Sequence, residues 1–110
     1  MNLYSAALVV RIHDKEIIAR GMTDGLAICF GVDSDHESAL RNMVLSLKGR
    51  QLQFIDLHGE IVQLDQNKWD TYIKTKWPEF IARLPSQSDV VSYHDPTVFF
   101  GPVLSYNGDG

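Results

Sequence analysis

The residues of this 110-residue chain that could do chemistry are four histidines, a lone cysteine and the acidic run Asp33-Ser34-Asp35-His36-Glu37. Three of the histidines have an acid next in sequence: His13-Asp14, His36-Glu37 and His94-Asp95. A catalytic pair needs the acid to orient one ring nitrogen while the other faces substrate, a geometry that sequence neighbours rarely provide. Each pair falls at a predicted turn or helix start, where polar side chains collect because the backbone is exposed. They read as solvated turn residues. His58, with Asp56 and Glu60 two residues to either side, offers the one catalytic alternative, a small enzyme built on a strand end. No catalytic residue is assigned.

The acidic run resembles a calcium loop only briefly. Counted from Asp33, an EF-hand needs glycine at its sixth position, where Ser38 stands, and glutamate at its twelfth, where Val44 stands. Ser34 and Glu37 instead have the S-x-x-E spacing of a capping box, so no metal is expected. Cys29 is the only cysteine, which excludes an intrachain disulfide and a thiolate zinc site within one chain. Flanked by Ile28 and Phe30 in a predicted strand, it reads as a buried thiol rather than a nucleophile. Neither G-x-G-x-x-G nor G-x-x-x-x-G-K-[ST] occurs, so the common nucleotide loops are missing and no cofactor is expected.

Binding residues are easier to nominate. Lys68, Tyr72 and Lys76 recur at four-residue steps along one predicted helix, next to a stripe of Trp69, Ile73 and Trp77, with Lys74 nearby. One reading is an amphipathic helix with its tryptophans in the core and its lysines in water. The functional reading is a surface where cations and aromatics grip an anionic ligand or a protein partner. The C-terminal segment carries Tyr93, Phe99, Phe100 and Tyr106 among Pro96, Gly101 and Pro102. These aromatics either close the core or add to a neighbouring subunit's sheet. The candidate partner- or ligand-binding set is therefore Lys68, Tyr72, Lys74, Lys76, Tyr93, Phe99 and Tyr106.

The elements that must position these residues follow from pattern. Leu3–Ile12 and Leu26–Val32 are rich in β-formers, and Glu16–Arg20 is predicted as a strand between them, with Asp24-Gly25 as a tight hairpin turn. Ala39, Leu40, Met43, Val44 and Leu47 make a helical stripe that starts at the Ser34 cap and stops at Gly49. Gln51–Leu57 and Glu60–Leu64 flank His58-Gly59 as a second hairpin, whose Ile55, Leu57, Val62 and Leu64 face should meet that helix. Asp65 or Asn67 caps a second helix, which Pro78 kinks or splits. Pro85–Asp89 is predicted as loop, Val90–Tyr93 and Val98–Tyr106 as extended, and residues 107–110 as frayed. The fold class is α+β: an antiparallel sheet, made of an N-terminal three-stranded meander plus a hairpin, packed by two helices in the order βββαββα with an extended tail. Residues 1–84 are expected to form one domain, and 85–110 an irregular or extended tail on it or on a neighbouring subunit.

Composition bounds the function. A net charge of -4 argues against general nucleic-acid binding, which draws its affinity from clustered Lys and Arg. No apolar run approaches the ~20 residues that span a bilayer, and the first residues lack a signal peptide's positive n-region, so the expected setting is the cytoplasm. The leading expectation is a small acidic protein-interaction module, an inhibitor, immunity-type or accessory factor that occludes a protein partner, acting alone or as a homodimer or higher oligomer. The alternative is a homo-oligomeric binder of a small anionic ligand such as a nucleotide, held by Arg20, Lys74, Lys76 and aromatics.

Overall fold

The computed structural model describes residues 1–106; the expectation for 107–110 lies outside them. Strand β1 (Asn2–Ile12) pairs antiparallel with β2 (Asp24–Asp33), from Asn2 opposite Asp33 to Arg11 opposite Asp24. Leu3, Tyr4, Leu8, Val9 and Val10 are all buried, so β1 has neighbours on both faces and a near-continuous apolar run rather than alternation.

The connection between them is not a third strand. Residues Lys15–Ala19 form a short helix, α1, because the Asp14 carboxylate caps it, accepting from the amides of Glu16 (2.9 Å) and Ile17 (3.2 Å). Ile17 and Ile18 give this segment its β-like composition, and the cap overrides it. Asp24-Gly25 accordingly opens β2 instead of turning a hairpin. Gly25 sits where an added Cβ would lie 2.7 Å from Val103 Cγ1, so its role is close approach.

Helix α2 (His36–Ser46) begins as predicted to within a residue, but its cap is Asp35, which accepts from the Ser38 amide at 2.8 Å; Ser34 instead donates its hydroxyl to Asp35 at 3.3 Å. The Ser38 amide bond, helped by the Ser38 and Ser34 hydroxyls, holds the Asp35 carboxyl below its ordinary value. A carboxyl with a depressed folded-state pKa stabilises the fold above its ordinary pKa and loses that contribution as pH falls through the folded value. The thermal midpoint of Asp35→Ala should therefore lie below that of the native chain at neutral pH, with the gap narrowing in strong acid. A gap independent of pH would contradict this. After α2 a 3-10 turn, Leu47–Arg50, ends at Gln51 in the left-handed conformation (φ 57°), so Gln51, and not Gly49, supplies the stop.

The sequence 52–64 is one 13-residue strand, β3 (Leu52–Leu64), rather than a hairpin. Gly59 uses its positive φ (76°) for a bulge: three residues, Gly59 to Ile61, face Ala6 alone, and a second bulge sits at Ile55. In a hairpin Leu57 and Val62 would share a face; in a continuous strand an odd spacing puts them on opposite faces. Hence only Leu57 of the expected four packs with the α2 core. Leu64 joins the opposite face, while Ile55 and Val62 are 45% and 53% exposed.

The last strand, β4 (Thr97–Ser105), pairs with β2 and completes an antiparallel sheet of order β3-β1-β2-β4. Pro102 is tolerated because β4 is an edge strand with a register shift where Gly101-Pro102 face Ile28. Before it, a 3-10 turn Gln66–Lys68 capped by Asp65 leads into helix α3 (Trp69–Lys76). Trp77 leaves helical geometry (φ -134°, ψ 54°) and Pro78 opens a separate 3-10 stretch, Pro78–Arg83, so the proline splits the helix. A short helix α4 (Gln87–Ser92) replaces the expected loop and extended piece. Ser86 caps it through the Asp89 amide, and reciprocal bonds between Asp70 and Gln87 (3.1 Å each way) tie its start to α3.

The molecule is thus α+β, an antiparallel sheet packed by helices. Helix α2, through Ala39 and Met43, and the 3-10 turn after it, through Leu47, cover the face carrying Tyr4, Ala6, Leu8, Val10, Ala27 and Cys29. The opposite face, with Leu3, Ile28, Phe30 and Val32, is covered by Trp69, Ile73, Leu84 and Val90. Among the described residues no helix is long and apolar enough to cross a membrane.

Candidate functional site

Helix α3 sorts its residues onto two stripes. Trp69 and Ile73 point into the core at 1% and 3% exposure, and the Trp69 indole donates to the Pro85 carbonyl at 2.8 Å. One residue round the helix, Lys68, Tyr72 and Lys76 line a groove of about 370 Å³ against Leu64 at the end of β3. Its floor is apolar: Leu64, the edge of Trp69 and the Tyr72 ring, which stacks beside Trp69 at 6.1 Å. Its cations are placed by the same spacing, with Lys76 Nζ 5.8 Å from the Tyr72 ring centre. Val62 lies two residues before Leu64 on the same face of β3 and is exposed, so the apolar surface runs on from the groove along the edge strand.

The other candidates go elsewhere. Lys74 lies beside a small separate pocket of about 150 Å³ with Asp70, Ile81 and Leu84. Tyr93 and Phe99 belong to the aromatic core: Phe99 stacks on Phe30 at 5.6 Å, meets Trp69 edge-on at 5.4 Å, and has Tyr93 at 6.4 Å. Tyr106 reaches the His58 ring at 5.9 Å and, with Arg20, lines a third cleft. Arg20, Lys74 and Lys76 therefore face three different cavities of one chain.

Several of the groups considered for catalysis have structural partners. His13 Nε2 is 2.9 Å from Gln53 Oε1, while Asp14 is occupied as the α1 cap. The Asp56 carboxylate accepts from the Leu57 amide at 2.8 Å, and His58 meets the Tyr106 ring. Burial pushes the Cys29 thiol up to about 12, against a weaker opposing pull from the Arg50 charge, which keeps it protonated and unreactive. Asp33, which belonged only to the acidic run by sequence, is buried. Its carboxylate accepts from the Asn42 amide (2.8 Å) and the Ser34 backbone (2.7 Å), pinning the end of β2 to α2. Among the described residues no three His, Cys, Asp or Glu side chains gather as a metal site.

Two contributors escape sequence reading. Leu64 looks like the last apolar residue of a hairpin, and only the continuous β3 brings it beside α3. Arg83, which lines the cleft shared by Arg20 and Tyr106, belongs to no periodic stripe, and nothing in the spacing flags it. No protein-family model, curated protein or solved structure matches this chain.

Proposed function

We propose that this chain is a protein-interaction module, an inhibitor, immunity-type or accessory factor that works by occluding a partner, and that the α3 groove is its binding surface. The observation that supports this reading is the pairing of an apolar floor, Leu64, Trp69 and Tyr72, with two flanking lysines, Lys68 and Lys76. Such a groove suits a partner segment that presents an apolar side chain between carboxylates. The buried apolar contact supplies affinity, and the lysines select sign and register. The exposed Val62 lengthens the same surface along an unpaired strand edge, where added backbone hydrogen bonds would extend the contact. The working setting we assign is the cytoplasm.

The test is recovery of a tagged chain from its own host, beside the double variant Lys68→Glu/Lys76→Glu. Both lysines are exposed, so the thermal midpoint should change little. One protein at stoichiometric yield is expected with the native chain, and its affinity should fall by about tenfold or more in the variant, since each reversal turns an attraction into a repulsion. Recovery of no stoichiometric partner, or equal recovery by both chains, overturns the reading.

A further inference from the structure

A cleft of about 750 Å³ opens at the end of β4, between the turn that follows α1 and the end of the 3-10 stretch 78–83. Arg20, at the C-terminal cap of α1, and Arg83, the last residue of that stretch, both line it and are both exposed. Arg83 is held by an aromatic face, its guanidinium carbon 5.7 Å from the Phe80 ring centre. The acid in the cleft wall, Asp24, is already engaged: it pairs with Arg11 at 3.2 Å, the one ion pair among the described residues. Two guanidiniums thus line one cavity whose only lining carboxylate among the described residues, Asp24, is paired with a third, Arg11, so positive charge is in excess there in a chain whose net charge is -4. Thr23, Ser105 and Tyr106 add hydroxyls to the same walls, and Met22 and Val103 add apolar surface.

We infer that this cleft binds a small phosphomonoester with a flat aromatic body, independently of the partner groove on α3. Guanidinium is the side chain whose planar fork matches phosphate oxygens two at a time, and two of them balance a dianion. The wall hydroxyls supply further donors, and Tyr106, Met22 and Val103 supply a surface for the body. The volume falls within the ~300–1,000 Å³ typical of small-molecule sites. Phosphate on a polymer is a poorer fit, because the surrounding negative charge repels a long polyanion.

Calorimetric titration at low ionic strength with adenosine monophosphate, inorganic phosphate and adenosine as probes tests the assignment. The monophosphate should bind most tightly, inorganic phosphate more weakly, and adenosine not measurably. Arg20→Gln and Arg83→Gln, both at exposed positions, should each weaken monophosphate binding by about tenfold or more, the usual effect of losing a charge-assisted contact. Lys68→Glu/Lys76→Glu should leave it unchanged. The proposal fails if the native chain binds no monophosphate, if either arginine variant binds it as the native chain does, or if adenosine binds equally well. Inorganic phosphate binding as tightly as the monophosphate would overturn the role given to the apolar wall.

Discussion

Trp69→Ala is expected to cost about 3–5 kcal/mol of folding stability, the range for emptying a large aromatic from a packed core. The indole is 1% exposed, meets Phe30 edge-on at 5.0 Å and Phe99 at 5.4 Å, and stacks beside Tyr72 at 6.1 Å, so its removal strips a partner from three other rings. It also leaves the Pro85 carbonyl without its donor. A domain of this kind has about 5–15 kcal/mol in total, so the variant should sit close to unfolding at physiological temperature. Trp69→Phe separates the two contributions: it keeps a ring in place, loses the indole bond, and should cost about 1–3 kcal/mol for the orphaned carbonyl together with the lost ring volume. Trp77 is the control. Its buried Nε1 has no partner among the described residues, so Trp77→Phe leaves no acceptor behind and should cost less than Trp69→Phe. Urea denaturation of the three variants reads this order directly. A Trp69→Ala loss below ~1 kcal/mol would mean that the sheet face under Phe30 is not the core described here.

The places where sequence reading worked and failed share a cause. Helix α2, a break of the second helix at Pro78, the burial of Cys29 and the common stripe of Trp69 and Ile73 were legible because local rules decide them: a cap, a ring without an amide proton, a helical spacing; whether the break is a kink or a split, and whether that stripe is core or surface, were not. The segment 16–20 was misread because its composition is β-like, and one capping carboxylate at Asp14 outweighs that preference. His58-Gly59 was misread because a glycine at positive φ serves a bulge as well as a turn, and the choice depends on whether β1 lies alongside. Only pairing with a distant strand could settle it.

The same distinction governs the candidate surfaces. Lys68, Tyr72 and Lys76 were found together because four-residue spacing on one helix fixes their common side. Phe99 and Tyr106 could not be separated by spacing. Their strand alternates across the sheet only after β4 has docked on β2, which sends Phe99 against Phe30 and leaves Tyr106 past the last pair at Ser105. The Arg20–Arg83 cleft joins residues far apart in sequence through the end of β4, and no local pattern records it.

Met43→Ala is expected to destabilise the chain by about 2–5 kcal/mol, and its coupling to Gly31 tests the packing of α2 more sharply than the loss itself. Met43 is fully buried beneath α2. Its Sδ-methyl occupies the space left by Gly31 on β2: a Cβ added there would lie 3.2 Å from Met43 Cε and 3.7 Å from the Ala39 Cβ. Gly31→Ala alone should therefore overpack the interface, with a cost limited by the flexibility of the methionine. In the Met43→Ala background the same added methyl enters a cavity instead of a clash. The double variant should then be more stable than the sum of the single losses by about 0.5–1.5 kcal/mol, a coupling expected only of residues in contact. Leu45→Ala, on the same helix but 65% exposed, should change stability by less than ~0.5 kcal/mol. Additive losses at positions 31 and 43 would show that α2 does not seat Met43 on Gly31, and a large loss at Leu45 would place the buried stripe of α2 on its other side.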